Sequence, residues 1–113
     1  MMKTLKFAPD LVLKILAGEK TSTWRLFDDK NLQIGDELEF INKETGEIFG
    51  NSTITNLYTK TLGTLEDDDW IGQERFVSDE EMYNTFRSHY GNKVTPETEV
   101  KIIRFSFYMF PVI

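Results

Sequence analysis

One eight-residue stretch, residues 18–25, constrains the fold of this chain more than any other part of the sequence. It reads G-E-K-T-S-T-W-R and places a glycine, an amine, three hydroxyls and a guanidinium side by side. An ordinary edge strand alternates apolar residues with mixed polar ones, so this stretch, which we call the signature, is a chemical cluster. The competing interpretation is a solubilised strand, because Thr and Trp favour strands and flanking Lys and Arg are common there.

The sequence before the signature predicts a strand followed by a helix. Residues 3–7 alternate polar and apolar side chains, as a half-buried strand does. Pro9 suits the first turn of a helix, and an apolar stripe at helical spacing follows before Gly18, so we expect a helix over residues 9–17. The signature therefore begins at the C-terminus of a helix and continues into a strand.

This placement has a geometric consequence for the signature side chains. On a regular strand Thr21, Thr23 and Arg25 share one face, whereas residues three apart face opposite sides. Lys20 must then belong to the turn, from which its long side chain can reach the face that carries Thr23. Trp24 points the other way and is predicted to be a core residue.

The remaining pattern predicts a single α+β domain over residues 1–113, built on a small curved sheet with two main helices. Ser78 and Glu81 form a capping box before a second helix over residues 79–89. The acidic run at 66–69 is interpreted as the solvated start of a helix, in preference to a cation site. The other predicted features are strands at 37–41 and from residue 47 onward, a bulge or bend at 50–51, a closing strand at 100–107 and an apolar tail at 108–113.

Composition narrows the function classes. The 113 residues carry a net charge of -6, which argues against a protein that grips nucleic acid through its phosphates and favours a small neutral ligand. There is no cysteine and one histidine, so we expect no metal and no cofactor. The longest apolar run near the N-terminus is too short for a signal peptide or a membrane span, so we expect a cytoplasmic protein that does not contact a membrane.

The signature resembles that of the ASCH family, whose domains have a PUA-like fold with a small curved β-barrel. Beyond Lys20, Thr23 and Arg25, the likeness covers residues 35–36, 61–65, 73–74, 90–91 and the last strand. Within the family the chain is most similar to small bacterial amidohydrolases that remove acetate from N4-acetylcytidine. It differs from them in a longer segment between residue 74 and the second helix, in Arg75 and in the apolar tail.

The resemblance implies a catalytic set of Lys20, Thr23 and Glu74, with Arg25 and Thr21 binding a small nucleoside substrate. A lysine whose pKa is lowered by burial or by a nearby cation such as Arg25 can take the proton of a threonine nucleophile. A protonated Glu74 would then donate to the departing amine. Arg75 could instead pair with Glu74 and keep it ionised.

Two other interpretations remain open at this point. PUA-like domains often recognise RNA or a modified base, so Lys20, Thr23 and Arg25 could contact phosphate and base without catalysis. A regulatory interaction domain that uses the tail is a third interpretation. Salt dependence separates catalysis from phosphate binding, because phosphate binding weakens steeply with added salt.

Overall fold

The computed structural model describes residues 2–109, and they form one five-stranded sheet with two helices. The elements are β1 (Lys3–Phe7), α1 (Pro9–Leu16), β2 (Ser22–Leu26), β3 (Glu37–Asn42), β4 (Ile48–Thr61), α2 (Asp79–Tyr90) and β5 (Glu99–Tyr108). Two 3-10 helices, Leu62–Thr64 and Asp67–Trp70, connect β4 to α2. In the described part of the chain, no helix has the length and apolar character needed to cross a membrane.

The sheet curls into a half-barrel with the strand order β1-β3-β4-β5-β2. β1 runs parallel to β3, and the other pairs are antiparallel. The predicted closing strand is therefore an interior strand, because β5 pairs with β4 on one side and β2 on the other. β2 pairs only with β5, so its outer edge is open to other elements.

The two faces of the sheet each carry a hydrophobic core. The side covered by α1 buries Phe7, Ile15, Phe40 and Phe105, among others, whereas the side covered by α2 buries Trp24, Met82, Phe86 and Ile102. β5 serves both, since Ile102 and Ile103 point to opposite faces. Burial on both faces accounts for its nearly continuous apolar sequence.

Two irregularities bend β4. The register against β3 skips Phe49, one residue before the predicted position at 50–51, and the register against β5 skips Thr55. An extra residue reverses the alternation of a strand, so Ile54 and Leu57 both pack on the α1 side although they are three residues apart. These bulges supply the curvature that a half-barrel requires.

The acidic run is only partly solvated. At the start of the 3-10 helix Asp67–Trp70, the Glu66 amide donates to Asp69 Oδ2 at 2.8 Å and the Asp69 amide donates to the Glu66 carbonyl at 3.0 Å. Asp69 is 3% exposed, accepts a hydrogen bond from the Tyr58 hydroxyl at 2.8 Å and pairs with Lys60 at 2.9 Å. The prediction of a solvated run is therefore wrong for Asp69, because the turn directs this carboxylate inward. The end of the predicted apolar tail, residues 110–113, lies outside the described residues.

Candidate active site

The signature starts in a tight turn after α1. Gly18 adopts a positive φ of 77°, and the backbone amides of Glu19 and Lys20 both donate to the Lys14 carbonyl, at 2.9 and 3.2 Å. β2 begins only at Ser22, so Lys20 lies in the turn as predicted. Its side chain is 2% exposed, which is rare for a lysine unless a partner compensates the charge.

A distant segment docks on this turn and supplies that partner. The amides of Thr21 and Ser22 both donate to the Gly72 carbonyl, at 3.1 and 3.2 Å. Gly72 has a φ of 76°, and a Cβ placed there would lie 2.1 Å from Thr21 Oγ1. Glycine is therefore required at this position, both for its backbone conformation and for the close approach of the two segments.

The docked segment delivers two polar side chains to the buried amine. Lys20 Nζ donates to Gln73 Oε1 at 2.9 Å and to Glu74 Oε2 at 2.7 Å. The Glu74 side chain is 25% exposed, so one end of the ion pair is dry and the other is reached by water.

The protonation of Lys20 is balanced by opposing effects. Burial is the largest and lowers the pKa of Lys20 below the usual lysine value of 10.5. The hydrogen bond and charge of Glu74 raise the pKa, while the charges of Arg25 and Lys14 lower it further. Burial has the largest effect, so the pKa of Lys20 is lowered overall, and the predicted lowering by the charge of Arg25 is present but smaller.

One cavity of about 650 Å³, which we call the central cavity, is lined by Lys20, Thr23, Arg25 and Glu74. The cavity extends along the open edge of β2, between β1 and α1 on one side and α2 on the other. Its remaining lining residues are Lys6, Phe7, Ala8, Asp10, Leu11, Lys14, Trp24, Lys43, Gln73, Phe76, Thr85, Phe86, His89 and Tyr90. The volume falls in the range of small-molecule sites.

Thr23 contributes a buried hydroxyl-bearing side chain to this cavity. It pairs with Ile103 across the sheet, so its side chain lies on the α1 side, opposite to that of Trp24. Thr23 is 3% exposed, and its hydroxyl makes no hydrogen bond to any residue between 2 and 109. A buried hydroxyl without a protein partner is available to a ligand.

Two further signature residues frame the cavity. Trp24 packs against Trp70 and Phe86, with ring centroids 4.4 and 6.3 Å apart, which agrees with its predicted core role. The guanidinium of Arg25 lies over the Phe7 ring at 5.4 Å and donates to the Lys6 carbonyl at 3.4 Å. Arg25 is thus held across the gap between β2 and β1.

Thr21 is placed apart from this group. Its side chain is exposed and lines a second cavity, of about 520 Å³, on the far side of Lys20. The face shared by Thr21, Thr23 and Arg25 in a regular strand does not form, because the strand begins one residue after Thr21. Lys20 is the one signature side chain that lines both cavities.

Arg75 is not the partner of Glu74, and His89 lies at the same cavity as the predicted set. Arg75 pairs with Asp67 at 3.1 Å and lies over the Trp70 ring, so the partner of Glu74 is Lys20. His89 lines the central cavity in addition to its position near the C-terminus of α2. Its spacing from Thr85 and Phe86 on one helix face is the sequence signal for this location.

The described residues offer no group of three or more His, Asp or Glu side chains that could hold a metal ion. The groups of the predicted set that line the cavity are a buried amine, a carboxylate, a hydroxyl and a guanidinium. Together they supply a nucleophile, proton carriers and a positive charge for a developing oxyanion.

No family model matches the sequence, and no curated protein sequence matches it. Among solved structures, a DUF984 protein from Enterococcus faecalis superposes with a TM-score of 0.78 at 13% identity, covering 96% of this chain and 82% of the other. The ASCH domain from Lactobacillus crispatus superposes with a TM-score of 0.68 at 15% identity, covering 94% of this chain and 79% of the other. ASCH from Zymomonas mobilis superposes with a TM-score of 0.61 at 14% identity, covering 91% of this chain and 65% of the other. The protein thus has the α+β PUA-like fold of ASCH domains, as predicted.

Proposed function

We propose that this protein of ASCH fold is an amidohydrolase that removes the acetyl group from N4-acetylcytidine or a related N-acylated nucleoside or base. The observation that carries the proposal is the ion pair between the buried Lys20 and the partly exposed Glu74, which shares a cavity with a Thr23 hydroxyl that has no hydrogen-bond partner within residues 2–109. An ion pair of this kind can pass a proton between its members without changing its total charge. Transfer from the ammonium to the carboxylate gives a neutral amine and a carboxylic acid, the two forms that amide cleavage needs.

The first half of the reaction uses both forms. Thr23 Oγ1 attacks the acetyl carbonyl carbon while its proton moves to the Lys20 amine. The tetrahedral intermediate then breaks its bond to the exocyclic nitrogen, which takes the proton of Glu74 and leaves as the amine of cytidine. The products are an acetyl ester on Thr23, an ammonium on Lys20 and a carboxylate on Glu74.

The second half restores the starting state. The Glu74 carboxylate takes a proton from water as the oxygen attacks the ester carbonyl. The bond to Thr23 Oγ1 breaks, and Lys20 returns its proton to the threonine oxygen. Acetic acid is released, and the pair again holds one shared proton. Arg25, or a backbone amide of the signature turn, stabilises the oxyanion in both halves.

The decisive experiment is incubation with a panel of N-acylated nucleosides and bases, with loss of the acyl group followed by chromatography. N4-acetylcytidine should yield cytidine and acetate, and Thr23→Ala should abolish this release. Thr59→Ala is a matched control, because Thr59 is an exposed threonine on β4 that lies outside the central cavity. Intact-mass measurement during turnover should detect acetylated protein with Thr23 present and none with Thr23→Ala.

Full turnover by folded Thr23→Ala would exclude the covalent route. Absence of deacylation across the panel would favour the second candidate function, a module that binds RNA or a modified nucleotide without catalysis. The specific observation in favour of that candidate is the cationic lining of the cavity, where Lys20 and Arg25 are joined by three further lysines. Steep weakening of ligand binding with added salt, without turnover, is its expected behaviour.

A further inference from the structure

Positive charge is concentrated in the central cavity of an acidic protein. Five of the 13 Lys and Arg residues line it, against two of the 19 Asp and Glu residues. Eight cationic and seventeen acidic residues remain elsewhere in the chain. The cavity is therefore a local basic site, and its sign is opposite to that of the net charge of -6.

Three of these cations have no role in the reaction proposed above. Lys6 lies on β1, Lys14 in the last turn of α1, and Lys43 in the turn between β3 and β4. All three are exposed, and none of their amines makes an ion pair or a hydrogen bond within residues 2–109. Three separate elements thus contribute these exposed lysines to the lining of one cavity, and we call the three lysines the rim. Lys3, Lys60 and Lys101, which lie elsewhere, pair with carboxylates.

We infer that this rim, formed by Lys6, Lys14 and Lys43, binds the phosphate of the substrate, so that the preferred substrate is an N-acylated nucleoside 5′-monophosphate. The inference rests on the proposed function and names an anionic ligand in place of the neutral one that the net charge favoured. Lysine ammonium groups bind phosphate oxygens as mobile point charges, and a monoester carries up to two negative charges for them to neutralise. Anchoring the phosphate at the rim would place the base toward Thr23 and the Lys20–Glu74 pair.

The charge distribution favours a mononucleotide over a nucleic acid strand. A strand would continue beyond the rim with one phosphate per nucleotide, across a surface where acidic residues outnumber basic ones about two to one. Phosphate repulsion there opposes the counterion release that drives strand binding. A single phosphate is met by three lysines against one acidic residue of the lining outside the ion pair, Asp10, and the cavity of about 650 Å³ has the size of a small-molecule site.

The first test compares kcat/KM for N4-acetylcytidine, its 5′-monophosphate and a short single-stranded oligoribonucleotide with one internal N4-acetylcytidine. The monophosphate should exceed the nucleoside by about tenfold or more, as expected for charge-assisted contacts to one phosphate. In the double variant Lys6→Gln/Lys43→Gln this preference should fall to about threefold or less. Lys30→Gln/Lys93→Gln removes the same charge from lysines outside the cavity and should keep the preference.

A preference near one in the wild-type protein would overturn the inference while leaving the proposed function intact. Preference for the oligoribonucleotide over the monophosphate would also overturn it, in favour of strand binding.

Calorimetric binding of CMP against cytidine provides a readout that needs no turnover. Tighter binding of CMP by about tenfold, lost in Lys6→Gln/Lys43→Gln and weakened by salt, would support the phosphate site even if no substrate is hydrolysed. In that outcome the proposed reaction fails and the phosphate site stands. Equal affinities for CMP and cytidine would refute the phosphate site.

Discussion

Removal of the Glu74 charge tests how much the ion pair of Lys20 and Glu74 contributes to the free energy of unfolding. In Glu74→Gln the Lys20 ammonium, whose side chain is 2% exposed, loses a carboxylate at 2.7 Å and keeps only neutral partners. Loss of one member of a fully buried pair costs about 3 to 5 kcal/mol. Glu74 is 25% exposed, and water therefore screens part of the interaction, so we expect a loss of about 2 to 3 kcal/mol in the free energy of unfolding near neutral pH.

The reverse substitution should be milder. Lys20→Met leaves a carboxylate that water already reaches and keeps most of the buried aliphatic stem, so its cost should be about 1 kcal/mol or less. A larger cost for Glu74→Gln than for Lys20→Met is the result expected for a buried ammonium paired with a hydrated carboxylate. Glu44→Gln, at an exposed turn position whose side chain has no partner within residues 2–109, is the matched control and should stay within about 0.5 kcal/mol of wild type.

The cost of Glu74→Gln should also depend on pH. Burial lowers the pKa of Lys20, so the unfolded chain binds its proton more tightly and this residue makes stability rise with pH. Without Glu74 the pKa falls further, and the rise begins at a lower pH. The difference in the free energy of unfolding between wild type and variant, which we call the gap, is therefore largest while Lys20 is protonated in both proteins. It disappears as the pH rises through the pKa of Lys20 in the wild-type protein.

Urea denaturation followed by tryptophan fluorescence, from about pH 6 to pH 10.5, measures this gap directly. A gap that stays constant over the whole range would refute a titrating Lys20 at this site. Equal stability of Glu74→Gln and wild type at every pH would mean that the ion pair makes no net contribution to folding.

Four further predictions concern the signature and the segment docked on it. Thr23→Ala and Lys20→Ala should each remove most of the hydrolysis rate, and the double variant should be little worse than either; additive losses in single-turnover assays would contradict a shared step. The pH profile of kcat/KM should be bell-shaped, because the ion pair must hold one shared proton, and loss of that proton from Lys20 sets the alkaline limb at a pH below the usual lysine pKa of 10.5; a rate that still rises at about pH 10 would contradict this requirement. Gly72→Ala should cost about 1 to 2 kcal/mol from backbone strain alone and more through the clash with Thr21 Oγ1, and it should lower activity by displacing residues 73–74. Trp24→Ala should cost about 3 to 5 kcal/mol in chemical denaturation, with a measurable rate in whatever fraction stays folded.

The local sequence determined most of the secondary structure. Alternation at residues 3–7 and 37–41, helical spacing with a proline start before Gly18, and the capping box at Ser78 all predicted elements that the structure contains. The placement of Lys20 in a turn also followed from the sequence, because strand alternation is a strict local rule that its spacing from Thr23 violates. Such features depend on residues within one or two turns of each other.

Tertiary structure alone decided how the cavity is assembled. The partner of Glu74 is Lys20, 54 residues away, whereas adjacency in sequence suggested Arg75. Arg75 is instead drawn to the exposed carboxylate of Asp67, and the docking of Gly72 on the signature aims Glu74 at the buried amine. Sequence spacing cannot encode this choice, because it depends on which side of a loop faces the core.

The positive charge of the cavity could not be predicted from the sequence for the same reason. A net charge of -6 describes the whole chain, while Lys6, Lys14 and Lys43 become neighbours of one cavity only when β1, α1 and the turn after β3 meet at the open edge of β2. The burial of Asp69 arises in the same way, from a turn that directs one carboxylate of an acidic run inward. Sequence patterns indicate which residues lie on an element, but the electrostatic environment of each side chain arises from long-range packing.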